Sequence, residues 1–193
     1  MRFLACVLAC LATGCLASRS GGVLFPTQNE VGMVSMTDGK AGGTGVRYSS
    51  ALSWASGSPN PKTPVDVAVG YQVDQFAPGQ RQLPHGSVPV PTVFHGPILE
   101  IESRIGGSEH LRHWIGARFE MPMRHLGAES YIGLGAALRV SAEWFATVTE
   151  RNAFGALGVG AYLESGVRKI PGGDAAFIMS SGLSLRLPFA AVN

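Results

Sequence analysis

The sequence predicts an all-β fold, a single eight-stranded antiparallel up-and-down β-barrel, and three observations predict it. Apolar and polar residues alternate with a period of two along seven segments, and a weaker eighth segment lies near 31–36. Stretches rich in Gly, Pro, Asn and Asp separate the segments, as turns do. The segments are about ten residues long or longer, the length of a tilted strand that crosses a bilayer.

The clearest alternation runs from Ile132 to Val148, where every even position is apolar and the odd positions include Arg139 and Glu143. A helix does not hold a period of two over such a length. Similar alternation marks 47–54, 65–74, 99–104, 111–121, 157–164 and 177–189. The predicted connections are 37–44, 57–64, 77–92, 105–109, 124–130, 150–152 and 169–174.

Alternation alone fits two kinds of barrel. In a soluble barrel or sandwich the apolar face is the core, whereas in a membrane barrel it meets lipid and the charged face lines the interior. The apolar faces carry no Asp, Glu, Lys or Arg, and charged residues make up only 15% of the chain. The polar faces contain many glycines, which a narrow lumen needs to make room for larger side chains. We therefore predict a transmembrane barrel.

The charges of the polar faces are nearly balanced, six arginines against seven acids, as an enclosed interior requires. We predict that they pair inside a filled lumen rather than line a selective path. The predicted lumen charge network comprises Arg47, Asp66, Asp74, Glu100, Glu102, Arg104, Arg112, Arg118, Glu120, Arg139, Glu143, Glu164 and Arg186.

The N-terminus has the pattern of a bacterial export signal, one charge at Arg2 followed by an apolar run. Leu11-Ala12-Thr13-Gly14-Cys15 resembles a lipobox, which implies cleavage before Cys15 and acylation of that cysteine. Cleavage after Ala17 by the ordinary signal peptidase is the alternative. The predicted organisation is a signal peptide at 1–14, a tether at 15–29 and a barrel domain at 30–193. All three cysteines lie within the first fifteen residues, so a disulfide framework is excluded in the mature chain.

The alternating pattern over about 30–193 resembles the small bacterial outer-membrane barrels of the outer-membrane-protein-A type. The closing segment 183–189 resembles the C-terminal assembly signal of that group, with its aromatic residue at Phe189. The resemblance implies an outer-membrane location, contact with membrane lipid, and insertion by the outer-membrane assembly machinery.

For function, we expect a structural or narrow-pore role, without enzymatic activity, cofactor or metal. The net charge of +2 provides no clustered basic face for nucleic acid. One alternative is a lipid-anchored soluble β-barrel or sandwich that binds a small ligand or an envelope partner. Another is a barrel enzyme acting on envelope lipid, for which Ser130 and His125 are the candidates, although no hydrolase motif surrounds them.

Overall fold

The computed structural model describes residues 27–37, 42–53, 65–77, 80–83, 86–89, 93–108, 110–126, 129–146, 157–170 and 174–187. Eight long antiparallel strands build the barrel: β1 (Thr27–Thr37), β2 (Gly42–Ser53), β3 (Val65–Phe76), β6 (Val93–Gly107), β7 (Leu111–Glu120), β10 (Gly135–Phe145), β11 (Gly158–Lys169) and β12 (Ala175–Leu187). Two short hairpins extend from it: β4 (Gln80–Leu83) with β5 (Gly86–Pro89), and β8 (Met123–Leu126) with β9 (Glu129–Ile132). The predicted fold class is confirmed.

The strands close into a cylinder because β1 pairs with both β2 and β12, and β3 pairs with β6. Following paired residues once around the barrel leads from Gly135 of β10 to Phe145 of the same strand, ten residues further on. A stagger of this kind tilts the strands by roughly 35–45° against the barrel axis. All eight strands therefore have both edges paired.

Several boundaries differ from those predicted. β1 begins at Thr27, inside the predicted tether, and β11 continues to Lys169. The predicted strand 132–148 is divided, because Gly133 donates its N–H to the carbonyl of Pro122 (2.8 Å) and β10 begins only at Gly135. The predicted loop 77–92 contains the hairpin of β4 and β5, and the hairpin of β8 and β9 extends beyond the predicted loop 124–130 on both sides. The signal peptide, Cys15 and Phe189 lie outside the described residues.

The two ends of the barrel differ in their connections. The first residue of β1 and the last of β12 lie at one end, which we call the terminal end, together with the short connection from β6 to β7. Gly107 enters that connection at a φ of 100°, in the left-handed region that favours glycine. The opposite end, which we call the hairpin end, carries both short hairpins.

The side chains are arranged inside out relative to a water-soluble protein. Leu138 is 73% exposed on the outer face, whereas its neighbour Arg139 is 1% exposed inside the barrel. Within the eight long strands, the outer face of the described residues carries no Asp, Glu or Arg; its ionisable residues are Tyr48, Tyr71, His95, His113 and Lys169. Such a continuous apolar band is far larger than the patches that monomeric soluble proteins expose.

None of the described segments forms a helix that is long and apolar enough to cross a bilayer.

An apolar plug fills the interior at the hairpin end. The rings of Phe76, the last residue of β3, and Phe94, near the start of β6, meet edge to face with centroids 5.8 Å apart. The apolar plug consists of Val34, Met36, Phe76, Phe94, Ala137, Ala176 and Ile178, all buried. It separates the charged interior from the hairpin end.

Candidate functional site

The interior of the barrel contains one continuous network of ion pairs. Its cations are five arginines that are at most 2% exposed: Arg47, Arg118, Arg139, Arg168 and Arg186. Its anions are eight buried acids: Glu30, Asp66, Asp74, Glu100, Glu102, Glu120, Glu143 and Glu164. These side chains lie inside because the period of two places every second residue of each strand in the lumen.

The cluster below the apolar plug is built on Asp74 and Glu120. Asp74 accepts hydrogen bonds from Arg47 (Nε, 2.8 Å) and from Arg168 (Nη2, 2.5 Å). Glu120 accepts hydrogen bonds from Nε and Nη2 of Arg168 at 2.5 and 2.7 Å. This bidentate geometry suits a planar guanidinium. The guanidinium of Arg168 also stacks near Phe94, which joins this cluster to the plug.

The middle of the lumen is organised around Glu164, which pairs with Arg47 (2.6 Å), Arg139 (2.5 Å) and Arg118 (3.1 Å). Arg118 and Arg139 both also pair with Glu30. Glu164 thereby connects the cluster below the apolar plug with the middle of the lumen. Each of these three arginines pairs with more than one carboxylate.

At the terminal end, Arg186 is held by Glu143 (Nε to both oxygens, 2.7 and 2.9 Å) and by Asp66 (2.7 Å). Glu102 lies between this cluster and the centre, 2.8 Å from Arg139 and 3.7 Å from Arg186. The ion pairs therefore run without interruption along the barrel.

Neutral donors help to satisfy the acids, which outnumber the buried arginines in the described interior. Ser49 donates to Glu30 at 2.8 Å, and Ser53 donates to Asp66 at 2.5 Å. Gln72 donates to Glu120 at 2.9 Å. Since a buried polar group without a partner costs about 1–3 kcal/mol, these hydroxyl and amide groups are part of what allows the charges to be enclosed.

The structure places most members of the predicted network in this interior, but it separates Arg104 and Arg112 from the ion pairs described above. Arg104 is half-buried at the terminal end and donates to backbone carbonyls, including that of Ser108 at 2.8 Å. Arg104 still pairs with Trp114 in regular register, but the register shifts between Arg104 and Gly106, and the side chain lies next to the connection. Arg112 is buried and lies over the ring of Phe145, 4.5 Å from its centroid.

Two network members were not anticipated from the sequence. Glu30 lies on β1 at the edge of the predicted tether, and Arg168 lies on the part of β11 that follows Glu164. The sequence pattern could have revealed both residues, because each lies an even number of positions from other inward-facing residues of its strand.

Three glutamates approach one another in the part of the interior that the structure describes. Glu30, Glu100 and Glu164 each offer an oxygen within 4.8 Å of the others. Arg118 forms ion pairs with all three, so its guanidinium already supplies the cation that joins them. Arginine suits this role because it presents several donors in one rigid plane.

The lumen is filled rather than open. A water-filled channel along the barrel axis would expose the guanidinium groups, yet the five network arginines are 0–2% exposed. Between the network and the barrel wall, the described interior has a cavity of about 10 Å³ lined by Gln72, Asp74 and Glu120 among others. That volume is about the size of one water molecule.

The barrel is similar to a known surface protein. The crystal structure of Neisserial surface protein A (NspA) matches with a TM-score of 0.51 and 16% sequence identity, and the match covers 88% of this chain and 100% of that chain. At this identity the likeness shows the fold alone. No protein-family model and no curated protein matches the sequence.

The candidate residues of the enzymatic alternative lie in the hairpin at the hairpin end. Ser130 lies opposite His125 in the hairpin of β8 and β9 and is exposed. The side chain of His125 is outside the described residues. On the outer face, Tyr71 and His95 form a hydrogen bond of 2.5 Å between the hydroxyl and Nδ1.

The glycines of the inner face allow large charged side chains to fit, which gives a testable expectation. A Cβ on Gly160 would lie 2.6 Å from Ser184 Oγ and 2.7 Å from Glu143 Cγ. We expect Gly160→Val to lower the free energy of unfolding by about 1–3 kcal/mol through overpacking. Ala161→Val, one residue along on the exposed outer face, is the matched control and should change it by less than about 0.5 kcal/mol. Urea unfolding in detergent measures both, and equal effects would contradict a packed lumen.

Proposed function

We propose that this protein is a lipid-anchored structural protein of the bacterial outer membrane, whose barrel spans the membrane and has a closed, non-conducting interior. The observation that carries the proposal is the inverted distribution of side chains, apolar outside and charged inside. The export signal and Cys15 support the anchor, and the fold shared with NspA, a surface protein by its name, supports the location.

The closed interior favours a structural role over a pore. Below the apolar plug, paired arginines occupy the lumen at every level, and a hydrophobic constriction alone is able to stop ion flow by dewetting. We infer that the barrel stabilises the envelope by its presence in the membrane and by its covalent lipid. Insertion requires the outer-membrane assembly machinery, as for other barrels of this shape.

Conductance in planar bilayers tests the closed interior. Purified protein whose folding is verified by heat-modifiable gel migration should give no discrete current steps at either polarity. The control is a porin inserted in the same bilayers, which shows that channels are detectable. Regular steps that scale with protein concentration would replace the structural role with a narrow-pore role.

Metabolic labelling with palmitate tests the anchor. The wild-type chain should carry the label, and Cys15→Ser should lose it while the barrel keeps its heat-modifiable migration. Label that persists in Cys15→Ser would show that the lipid is attached at another residue, whereas an unlabelled wild type that begins at residue 18 would show that the ordinary signal peptidase processes the chain.

A further inference from the structure

The outer face of the barrel carries its serine and threonine residues mainly in one sector. Among the described residues of the eight long strands, seven of them lie on the neighbouring strands β11, β12, β1 and β2, and one, Ser103, lies on β6. The seven are Thr27, Ser35, Thr37, Thr44, Ser50, Ser165 and Ser181. β7 lies four strands from β1 in either direction, and neither β7 nor its neighbour β10 carries a serine or threonine on the outer face. The polar sector is therefore opposite an apolar one.

Four of these residues form a patch that crosses the sector, which we call the hydroxyl patch: Ser35, Thr44, Ser165 and Ser181. Ser35 pairs with Thr44 of β2 and with Met179 of β12. Met179 pairs in turn with Ser165 of β11, and Ser181 follows two residues further along β12. All four residues are exposed on the outer face. They therefore occupy one continuous region of the surface, where the first and last strands of the barrel pair.

The hydroxyl patch has no hydrogen-bond partner within the part of the chain that the structure describes. Ser50, nearer the terminal end of β2, differs, because it donates to Asn29 at 2.9 Å. Hydrocarbon tails neither donate nor accept hydrogen bonds, so a hydroxyl that faces them alone is unfavourable. The patch thus offers donors and acceptors that lipid tails leave unused.

The depth of Ser181 excludes a lipid headgroup as its partner. Ser181 is the seventh of the thirteen residues of β12, six from either end. In a barrel that spans the membrane, this position lies near the middle of the hydrocarbon core, about 15 Å from either headgroup layer. A partner for this hydroxyl must therefore come from another protein surface inside the bilayer.

A second copy of the chain meets this requirement by symmetry. Two copies inserted in the same direction are related by a two-fold axis along the membrane normal, and such an interface brings the same patch of both copies together at the same depth. Because a hydroxyl both donates and accepts, Ser181 of one copy is able to bind Ser181 of the other, whereas a patch of donors alone would not be self-complementary. Met33 and Met179, 66% and 46% exposed, are flexible enough to fill gaps between two such surfaces.

We propose that the hydroxyl patch is the interface of a homodimer in the membrane, with β1 and β12 of one barrel against β1 and β12 of the other. The interface rests on the transmembrane orientation proposed above, and it requires neither the lipid anchor nor the closed interior. The apolar sector of β7 and β10 faces lipid in the dimer.

Spin labels on single cysteines test the dimer. Since all three cysteines lie within the first fifteen residues, the mature chain with Cys15→Ser provides a cysteine-free background. Met33→Cys places a label beside the patch, and Ile115→Cys, 45% exposed at the middle of β7, is the matched control on the opposite sector. The label is attached to the unfolded chain, which is then folded into vesicles. We expect dipolar coupling between copies at position 33 and none at position 115 at the same protein-to-lipid ratio.

Ser181→Leu tests the hydroxyls themselves, and Ala117→Leu on the outer face of β7 is its control. Leucine at position 181 suits lipid, so the barrel should fold, but the loss of one hydrogen bond between barrels should raise the dissociation constant of the dimer about threefold. Ala117→Leu should leave it unchanged. Three results would overturn the proposal: no coupling at position 33, equal coupling at positions 33 and 115, or a Ser181→Leu chain that dimerises as tightly as the wild type. The first would mean that lipid or a different protein covers the patch.

Quenching of Trp144 by brominated lipid in the same vesicles separates this proposal from the membrane orientation on which it rests. Trp144 is 52% exposed on the outer face. Strong quenching without coupling at position 33 would overturn the dimer alone, whereas a folded barrel whose Trp144 is not quenched would overturn both.

Discussion

Replacing Arg139 with Met should lower the free energy of unfolding by about 3–5 kcal/mol, because it removes one cation from buried carboxylates that already outnumber the buried arginines. Arg139 pairs with Glu30, with Glu102 at 2.8 Å and with Glu164 at 2.5 Å. It also lies over the ring of Tyr162, 4.4 Å from the centroid. Methionine preserves much of the volume, so the loss reports charge rather than packing.

Urea unfolding of the barrel in detergent or vesicles measures this effect. Arg104→Met is the matched control, since Arg104 is half-buried at the terminal end and binds backbone carbonyls. It should cost about 1 kcal/mol. If Arg139→Met unfolds within about 1 kcal/mol of the wild type, the interior is hydrated and the network does not hold the strands together.

An arginine placed on the outer face should destabilise the folded barrel, and the destabilisation should grow with the depth of the arginine in the membrane. Val140 lies at the middle of β10, five residues from either end, and is 45% exposed. Val140→Arg should make the free energy of folding into vesicles less favourable by about 2–4 kcal/mol, the cost of a lipid-facing Arg near the bilayer midplane.

The matched control for Val140→Arg is Leu111→Arg, an equally exposed position at the first residue of β7, beside the terminal end. Near the interface the same charge should cost about 0–1 kcal/mol. A water-soluble barrel would tolerate both substitutions on an exposed face, and its solubility would improve. Equal, small effects at the two positions would therefore favour the lipid-anchored soluble alternative.

The alternation of single residues was sufficient to predict the fold and the direction of most charged side chains. Arg139 and Glu143 were assigned to the inner face because their neighbours Leu138 and Trp144 are apolar, and the structure has this arrangement. The period of two is a strong constraint because a slip by one residue would turn every side chain to the wrong face.

The ends of strands were harder to predict. Arg168 was left outside the network because the alternation was followed only as far as Glu164, and Glu30 was left out because β1 is weakly patterned. Arg104 obeys the alternation, yet its side chain binds carbonyls of the adjacent connection, where a bulge shifts the register. Period alone does not reveal a bulge, since the extra residue depends on how two distant strands pair.

The apolar plug was missed for a different reason. Inner and outer faces were distinguished by polarity, and most plug residues, including Phe76 and Phe94, lie outside the segments in which the alternation was followed. Phe177, Ile178 and Met179 form a run of three apolar residues, and Ile178 lies inside while its neighbours lie outside. The pairing of β12 with β1 and β11, rather than the residue type, determines which of the three faces the lumen.

Tryptophan fluorescence in vesicles of brominated phospholipid tests the orientation of the barrel most directly. Trp144 is 52% exposed on the outer face, and Trp114 is 2% exposed in the interior. With Trp54 replaced by Phe, variants that retain only one of these two residues isolate each signal. We predict strong quenching of Trp144 by lipid bromine and weak quenching of Trp114. Equal quenching of the two, or a Trp144 that responds to aqueous iodide and not to bromolipid, would contradict a barrel with its apolar face in the membrane.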